Sequence, residues 1–178
     1  MIRNKLVTML SYGFNAVICG TVLFVIFILI NNIFSKDKKK ISRRILEWVY
    51  IVYIVMVLNI TGITMIQDLK LEWFKASLTD LGLSVPRDYA SLIMIVFNVI
   101  MFIPFGFLTP MLSEKMKSKY VIILAIIFTV GIELIQGFSG RFVELNDVLA
   151  NSFGGGIGLL LYVVVKKKKG IEWKNEEK

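Results

Sequence analysis

Five long apolar runs constrain the fold of this chain more than any other feature of its sequence. The hydrocarbon core of a bilayer is about 30 Å thick, and a helix needs roughly 20 apolar residues to cross it. Hydrophobic residues make up 56% of the 178 residues, more than the roughly 45–50% that is usual for a soluble domain. We therefore predict an all-α fold, a polytopic transmembrane helical bundle with about five membrane-spanning helices. The predicted helices cover residues 8–34, 45–66, 89–112, 120–138 and 147–165.

The chain is predicted to contain one bundle, residues 1–165, and a basic, charged cytoplasmic tail, residues 166–178. This length leaves no room for a separate soluble domain. In the loop after the second apolar run, hydrophobic residues recur at helical spacing beside Trp73. Two interpretations stay open for this segment, a helix lying flat on the membrane surface and an ordinary loop. The recurring residues are Leu71, Phe74, Leu78 and Leu81.

The distribution of basic residues predicts how the bundle is oriented. With five spans, the first loop, the third loop and the tail lie on one side of the membrane, and they hold 15 of the 21 Lys and Arg residues. Cytoplasmic loops carry an excess of these residues, so we expect the N-terminus outside and the C-terminus in the cytoplasm. Arg3 and Lys5 oppose this orientation. In a membrane protein the net charge of +8 indicates contact with anionic lipid, and we predict membrane lipid rather than nucleic acid as the partner.

The residue inventory excludes several kinds of chemistry. The chain has no histidine and one cysteine, which excludes His-based triads, His or Cys zinc sites and an internal disulfide. We predict no metal and no cofactor. The glycines at 154–158 lack the lysine and the following helix start of a phosphate-binding loop. Gly154 and Gly158 instead have the spacing of a close helix contact. Pro104, with Gly106 close behind it, predicts a kink in the third helix.

Polar residues in or beside the last three helices are predicted to form one cluster. With the orientation given above, they all lie in the outer half of the membrane or at its outer rim. Ionisable groups at membrane depth usually face the bundle interior and pair with one another, so Arg141 is expected to pair with Glu133 or Asp147. Two roles stay open, pinning the helices together and forming a functional site open to the outer face, and we favour the second. The six residues are Asn98, Glu133, Gln136, Arg141, Asp147 and Asn151.

The same residues carry a resemblance to a known family. Residues 98–162 resemble the VanZ-like family of small membrane proteins. The shared pattern is an Asn followed by Phe-Ile-Pro-Phe-Gly, then Glu-x-x-Gln, an Arg, an Asp, an Asn four residues later, and glycines three and seven residues beyond it. The acidic pair that the family often has before the Asp is replaced by Glu144 and Asn146. The matching residues here are Asn98, Pro104, Gly106, Glu133, Gln136, Arg141, Asp147, Asn151, Gly154 and Gly158.

The resemblance implies a setting in the bacterial plasma membrane, because the family's named member is linked to resistance against teicoplanin, a lipid-bearing glycopeptide antibiotic. We therefore predict a non-enzymatic protein that contributes to teicoplanin-type resistance or to cell-envelope maintenance. A lipoglycopeptide or a cell-wall lipid precursor is the expected partner beside membrane lipid. The alternative is an intramembrane enzyme acting on a lipid-linked envelope substrate, with Glu133 or Asp147 as general acid or base. A transporter ranks last because the chain shows no internal repeat.

Overall fold

The structure, a computed structural model, describes residues 2–34, 40–79, 88–113 and 116–168. Over these residues every regular element is a helix, and the predicted all-α fold is confirmed. The elements in chain order are α1 (Ile2–Phe34), α2 (Ile41–Ile60), a 3₁₀ turn (Ile63–Met65), α3 (Leu71–Ser77), α4 (Tyr89–Met111), α5 (Ser118–Phe138) and α6 (Leu145–Lys168).

Four of the described helices are long and apolar enough to cross a membrane: α1 over Ser11–Asn31, α4, α5 and α6. Their large apolar side chains are widely exposed, for example Phe14 at 67% and Phe153 at 67%, as expected where lipid covers them. The shorter α2 has 20 residues, which is about 30 Å of helix. Charged residues occupy part of its first two turns. These helices agree with the predicted membrane protein of about five spans.

The charged start of α2 is partly neutralised within the helix, because one glutamate pairs with two arginines. Glu47 is buried, and its carboxylate lies 3.2 Å from Arg44 Nη1 and 3.6 Å from Arg43 Nε. The pairs are three and four residues apart, the spacing that places side chains together on one face. The rest of α2, from Trp48 to its end, carries no charged residue. The charged residues therefore lie in the first two turns of α2, and the rest of the helix is free of charged residues.

The described chain divides into two compact units, one formed by Met1–Leu81 with Gly131–Val143 and the other by Gly82–Val130 with Glu144–Lys178. In the first unit α1 packs against α2. Trp48 Nε1 donates to Thr21 Oγ1 at 3.0 Å. A Cβ added to Gly20 would lie 2.8 Å from the Cα of Val52. The two helices are therefore in close contact at this point.

In the second unit α4 and α6 meet with their backbones in contact. A Cβ on Gly154 would overlap the carbonyl oxygen of Val99, and one on Gly158 would overlap that of Ile103. From the facing helix, a Cβ on Gly106 would overlap the carbonyl oxygen of Gly155. The glycines thus let the helices approach more closely than any side chain would allow.

Several helix boundaries differ from the sequence-based expectation. Helix α1 begins at Ile2 where residue 8 was predicted, and α2 begins at Ile41 where residue 45 was predicted. The second helix was expected to reach residue 66, but α2 ends at Ile60 because Gly62 has a φ of 77°, a left-handed conformation that glycine adopts at helix ends. At the other end of the chain, α6 runs through Lys168, three residues past the predicted end of the bundle. Cations are favourable in a last helical turn. Residues 169–178 of the predicted tail lie outside the described residues.

Helix α4 contains two prolines, Pro104 and Pro110, and the helix is continuous through both. Phe102 and Phe105 flank Pro104, and both rings contact Phe128 of α5 with centroids 5.8 and 5.4 Å away. This aromatic group forms the buried core beside the proline in the second unit. The kink at Pro104 stays a prediction.

Candidate functional site

Two of the six predicted cluster residues bind one main-chain oxygen in the first unit. Gln136 Nε2 and Arg141 Nη1 each donate a hydrogen bond of 2.8 Å to the carbonyl oxygen of Thr61. Thr61 is the residue at which α2 ends. The last carbonyls of a helix lack partners within the helix and carry partial negative charge. The Gln136 amide and the Arg141 guanidinium therefore supply hydrogen-bond donors to a carbonyl at the end of α2.

The end of α5 places these two donors side by side. Gly140 has a φ of 87°, and its N–H bonds to the carbonyl of Gly137 at 3.2 Å. The N–H of Arg141 bonds to the carbonyl of Gln136 at 3.1 Å. This pair of bonds around a left-handed glycine is the Schellman motif that closes many helices. The local fold of residues 136–141 thus brings the Arg141 side chain back beside Gln136.

Further buried polar residues lie next to this contact along the chain. Glu133 is 3% exposed and precedes Gln136, itself 6% exposed, by one helical turn, so the two share a face of α5. On α2, Asn59 is buried two residues before Thr61, and its Oδ1 accepts a bond of 2.7 Å from Thr64 Oγ1. The first unit therefore buries polar groups at the ends of both helices.

The short helix α3 covers the end of α5. The N–H of Lys70 donates to the carbonyl of Phe138 at 2.9 Å, and the rings of Phe74 and Phe138 stack with centroids 4.3 Å apart. A Cβ on Gly137 would lie 2.9 Å from Ser77 Oγ and 3.0 Å from Phe74. Of the two interpretations left open for this segment, the structure has a helix, Leu71–Ser77, and this helix packs against the turn that carries Arg141. Its placement on the membrane surface stays a prediction. Leu81 lies outside the described residues.

The other predicted residues belong to the second unit. Asn151 on α6 is 2% exposed, and its Nδ2 donates to Thr129 Oγ1 of α5 at 2.8 Å. Its Oδ1 is buried and has no hydrogen-bond partner within the described chain. Asp147 lies one turn earlier on α6, in the first turn, and is half-buried. Asn98 is half-buried on α4.

The structure brings together only part of the predicted cluster. Gln136 and Arg141 meet within the first unit, whereas Asn151 binds Thr129 within the second. The pairing of Arg141 with a carboxylate and the gathering of all six residues at one site stay predictions. Thr61 was not predicted as a site residue because it contributes its main-chain oxygen, which every residue type has. Gly62, the next residue, could have indicated that a helix ends here and leaves its last carbonyl groups available. Thr129 could have been identified from the sequence as a candidate partner, because it is a polar residue inside an apolar run.

These groups can bind polar ligands through hydrogen bonds and charge. The Glu133 carboxyl and the Asn151 amide oxygen are acceptors shielded from solvent, and Arg141 is an exposed cation. In the part of the chain that the structure describes, no group of three or more Cys, Asp and Glu residues is arranged to hold a metal ion. Within the first unit, the exposed Arg141 favours anionic groups. Within the second unit, Asn151 Oδ1 can accept a hydrogen bond from a hydroxyl or an amide.

Comparison with known proteins gives one match. The sequence profile described as VanZ/LLP1 matches residues 14–166, which is most of the chain and includes every residue of the predicted cluster. No curated protein and no solved structure matches the chain.

Proposed function

The chain belongs to the VanZ/LLP1 family, and from this membership we propose that it protects or maintains the bacterial cell envelope. The proposed form of protection is tolerance of teicoplanin-type glycopeptides, which the resemblance noted in the sequence implies. The observation that carries the proposal is the extent of the family match, which covers residues 14–166 and so both ends of the polar motif. The helices that expose apolar residues place the protein in a membrane.

The proposed orientation has the N-terminus outside and the C-terminus in the cytoplasm. The ends of α2 and α5 would then face the outer side, where glycopeptides and lipid-linked wall precursors occur. This end of the first unit carries the exposed Arg141 and the buried Gln136 and Glu133. A polar group of a lipoglycopeptide or wall precursor would meet these donors and acceptors, while its lipid chain stays in the bilayer. An amphipathic molecule is recognised through polar groups that bind its headgroup and through an apolar environment that holds its lipid chain.

Drug susceptibility in a sensitive Gram-positive host tests this proposal. Wild type is compared with Glu133→Ala and Asp147→Ala, and teicoplanin is tested beside vancomycin. Leu134→Ala is the matched control, because Leu134 is next to Glu133 on the same helix and is 40% exposed. Membrane levels of each variant are measured through a tag. We expect raised teicoplanin tolerance with wild type and Leu134→Ala and its loss in the two acid variants. Unchanged tolerance with well-expressed wild type would remove the resistance role.

The burial of Glu133 also favours a second candidate, an intramembrane enzyme that acts on a lipid-linked envelope substrate. A carboxylic acid that is 3% exposed is shielded from bulk water, as a general acid or base often is. Asp147 would be the second carboxyl group. Glu133→Gln separates the candidates, because the amide keeps hydrogen bonding and cannot transfer a proton. Loss of product formation from a lipid-linked wall precursor in this variant, measured by mass spectrometry, would favour the enzyme.

A further inference from the structure

The segment from Met65 to Leu78, which we name the surface segment, exposes apolar side chains although it lies outside the long apolar helices. Met65, Leu69 and Leu71 are 57%, 59% and 58% exposed, and Leu78 is 40% exposed. The segment is nevertheless held in place by the Lys70–Phe138 hydrogen bond and the stacked ring of Phe74. Exposed leucines on a fixed segment indicate that an apolar phase covers them.

The leucines share one side of α3. Leu71 and Leu78 are seven residues apart and so lie on the same face, next to the face through which Phe74 packs on the protein. Glu72 projects about 100° away from Leu71 around the helix and is exposed. The two leucines therefore form a narrow apolar strip beside the face that packs on the protein, and the exposed Lys75 and Glu72 border it on the other side. An apolar strip next to charged residues is the pattern of a helix lying in a membrane interface.

A cation–aromatic group lies on the same segment. Lys70 Nζ lies 4.4 Å from the centroid of the Trp73 ring. That ring also packs on Gly140, where an added Cβ would lie 3.4 Å from Trp73 Cε3. The next residue, Arg141, uses Nη1 to bind Thr61 and remains exposed. The Trp73 ring therefore contacts both Lys70 and Gly140, the residue before Arg141. Tryptophan with basic residues nearby is typical of the headgroup level of a membrane.

The guanidinium of Arg141 is fixed at one nitrogen and has further N–H groups to donate. A guanidinium presents five N–H donors in a planar fork that matches phosphate, and a lysine adds a point charge. The exposed acids of the segment, Asp68 and Glu72, oppose anion binding elsewhere along it. The side that carries Lys70 and Arg141 is therefore the part of the segment suited to a phosphate.

We propose that the surface segment lies in the headgroup layer of the membrane that the long helices cross, and that Lys70 and Arg141 bind the phosphate of an anionic phospholipid there. Leu71 and Leu78 face the acyl chains, and Trp73 lies at the level of the glycerol backbone. Near the ends of the neighbouring helices, Ile60 at 53% and Ile135 at 39% are also exposed, as expected where lipid covers the first unit. Arg141 is shared with the ligand site proposed above, whereas Lys70 and Trp73 belong to the surface segment alone, so variants of these two residues test this proposal separately.

The depth of Trp73 tests the first part of the proposal. Full-length protein carrying Trp48→Phe and Trp173→Phe keeps Trp73 as its single tryptophan. It is reconstituted in phosphatidylcholine–phosphatidylglycerol vesicles whose acyl chains carry bromine at defined depths. We expect the strongest fluorescence quenching from bromine nearest the headgroups. Absence of quenching at every depth, in protein whose helical content matches wild type by circular dichroism, overturns the interfacial placement.

Binding of the headgroup tests the second part. Association of fluorescent phosphatidylglycerol with the full-length protein is measured in phosphatidylcholine vesicles for wild type, Lys70→Gln and Arg141→Gln. Lys75→Gln is the matched control, since Lys75 is exposed on the same short helix. A hydrogen bond to a charged group contributes enough to change binding about tenfold, so Lys70→Gln should weaken association by about that factor and Arg141→Gln should weaken it too. Lys75→Gln removes the same charge without a bond to the phosphate and should have a clearly smaller effect.

Three results overturn the phosphate site. The first is equal binding by Lys70→Gln and wild type, and the second is an equal loss in Lys75→Gln, which indicates only general surface charge. The third is displacement of the lipid by inorganic phosphate in solution, which indicates a site for a free anion. A parallel measurement with a fluorescent uncharged glycolipid should show no dependence on Lys70. Because Lys70 contributes its backbone N–H to the fold, the glutamine variant keeps that bond and its folding.

Discussion

The contact between α4 and α6 allows the effect of a single added methyl group to be predicted. In Gly158→Ala the new Cβ would lie 2.9 Å from the carbonyl carbon of Ile103 and from the amide nitrogen of Phe107, and closer still to the Ile103 oxygen. Ordinary Cβ contacts begin near 3.4 Å, so the two helices must separate by at least the difference. A gap of about 0.5–1 Å removes a quarter to a half of the dispersion attraction between facing atoms.

The magnitude follows from comparison with a neighbouring glycine. Gly156 is on the same helix, and a Cβ added there meets nothing within 4 Å. Both alanine variants gain helix propensity, roughly 0.8–1.0 kcal/mol each, so this gain cancels between them. Gly158→Ala alone should suffer overpacking, typically about 1–3 kcal/mol. The free energy of unfolding should therefore differ between the two variants by about 1–3 kcal/mol.

Thermal unfolding of the purified full-length variants in detergent measures this difference. For chains of this size, 1 kcal/mol corresponds to about 2–4 °C in Tm, so a 2 kcal/mol difference gives about 4–8 °C. We expect Gly156→Ala to melt at or above the wild-type temperature and Gly158→Ala to melt lower. Equal melting temperatures for the two variants would refute the close approach of the helix backbones.

Three further predictions concern hydrogen bonds. A double-mutant cycle of Asn151→Leu and Thr129→Val, followed by thermal unfolding, should give a coupling of about 0.6 kcal/mol, typical of hydrogen bonds between membrane helices; zero coupling would refute the bond. Gln136→Leu removes one of the two donors to the half-buried Thr61 carbonyl and should lower the free energy of unfolding by about 0.5–1.5 kcal/mol; an unchanged free energy of unfolding would show that water replaces the amide. Hydrogen bonds from the Ser91 side chain and backbone hold the pKa of Asp88 below its ordinary 3.8. Its capping of α4 is thus fully present above that value and is lost as the pH falls through the lowered pKa. The protection factors of amides in the first turn of α4, which are exchange rates corrected for the intrinsic effect of pH, should then fall as the pH is lowered, and Asp88→Asn should remove this dependence.

The helices whose position depends on the length of an apolar run could be predicted from the sequence. Four apolar runs appear as helices close to their expected bounds, because lipid demands that the backbone satisfy its own hydrogen bonds. The end of α2 was not predictable in this way, since the apolar run continues past Gly62 and only a left-handed backbone conformation ends the helix. The short helix α3 was one of two open interpretations, because seven residues of helix depend on packing, here on Phe138, rather than on propensity.

The sequence predicted only the donor residue of each hydrogen bond in the candidate site and not its acceptor. Gln136, Arg141 and Asn151 stand out as polar residues near or within apolar runs, and each makes a defined hydrogen bond in the structure. Their partners are a main-chain oxygen and a threonine hydroxyl, which membrane helices commonly contain without any functional role. Spacing along one helix cannot identify a partner that is 75 or 80 residues away.

The use of the Thr61 carbonyl oxygen has a consequence for how this protein tolerates mutation. The acceptor belongs to the peptide unit, which every amino acid supplies, so many side chains at position 61 can preserve the contact. The donors belong to side chains, and few substitutions at positions 136 and 141 supply an equivalent N–H. A saturation scan should therefore show one permissive and two restrictive positions at a single junction. Position 61 at the end of α2 can therefore vary among related sequences, whereas Gln136 and Arg141 at the end of α5 must be kept to preserve the two hydrogen bonds.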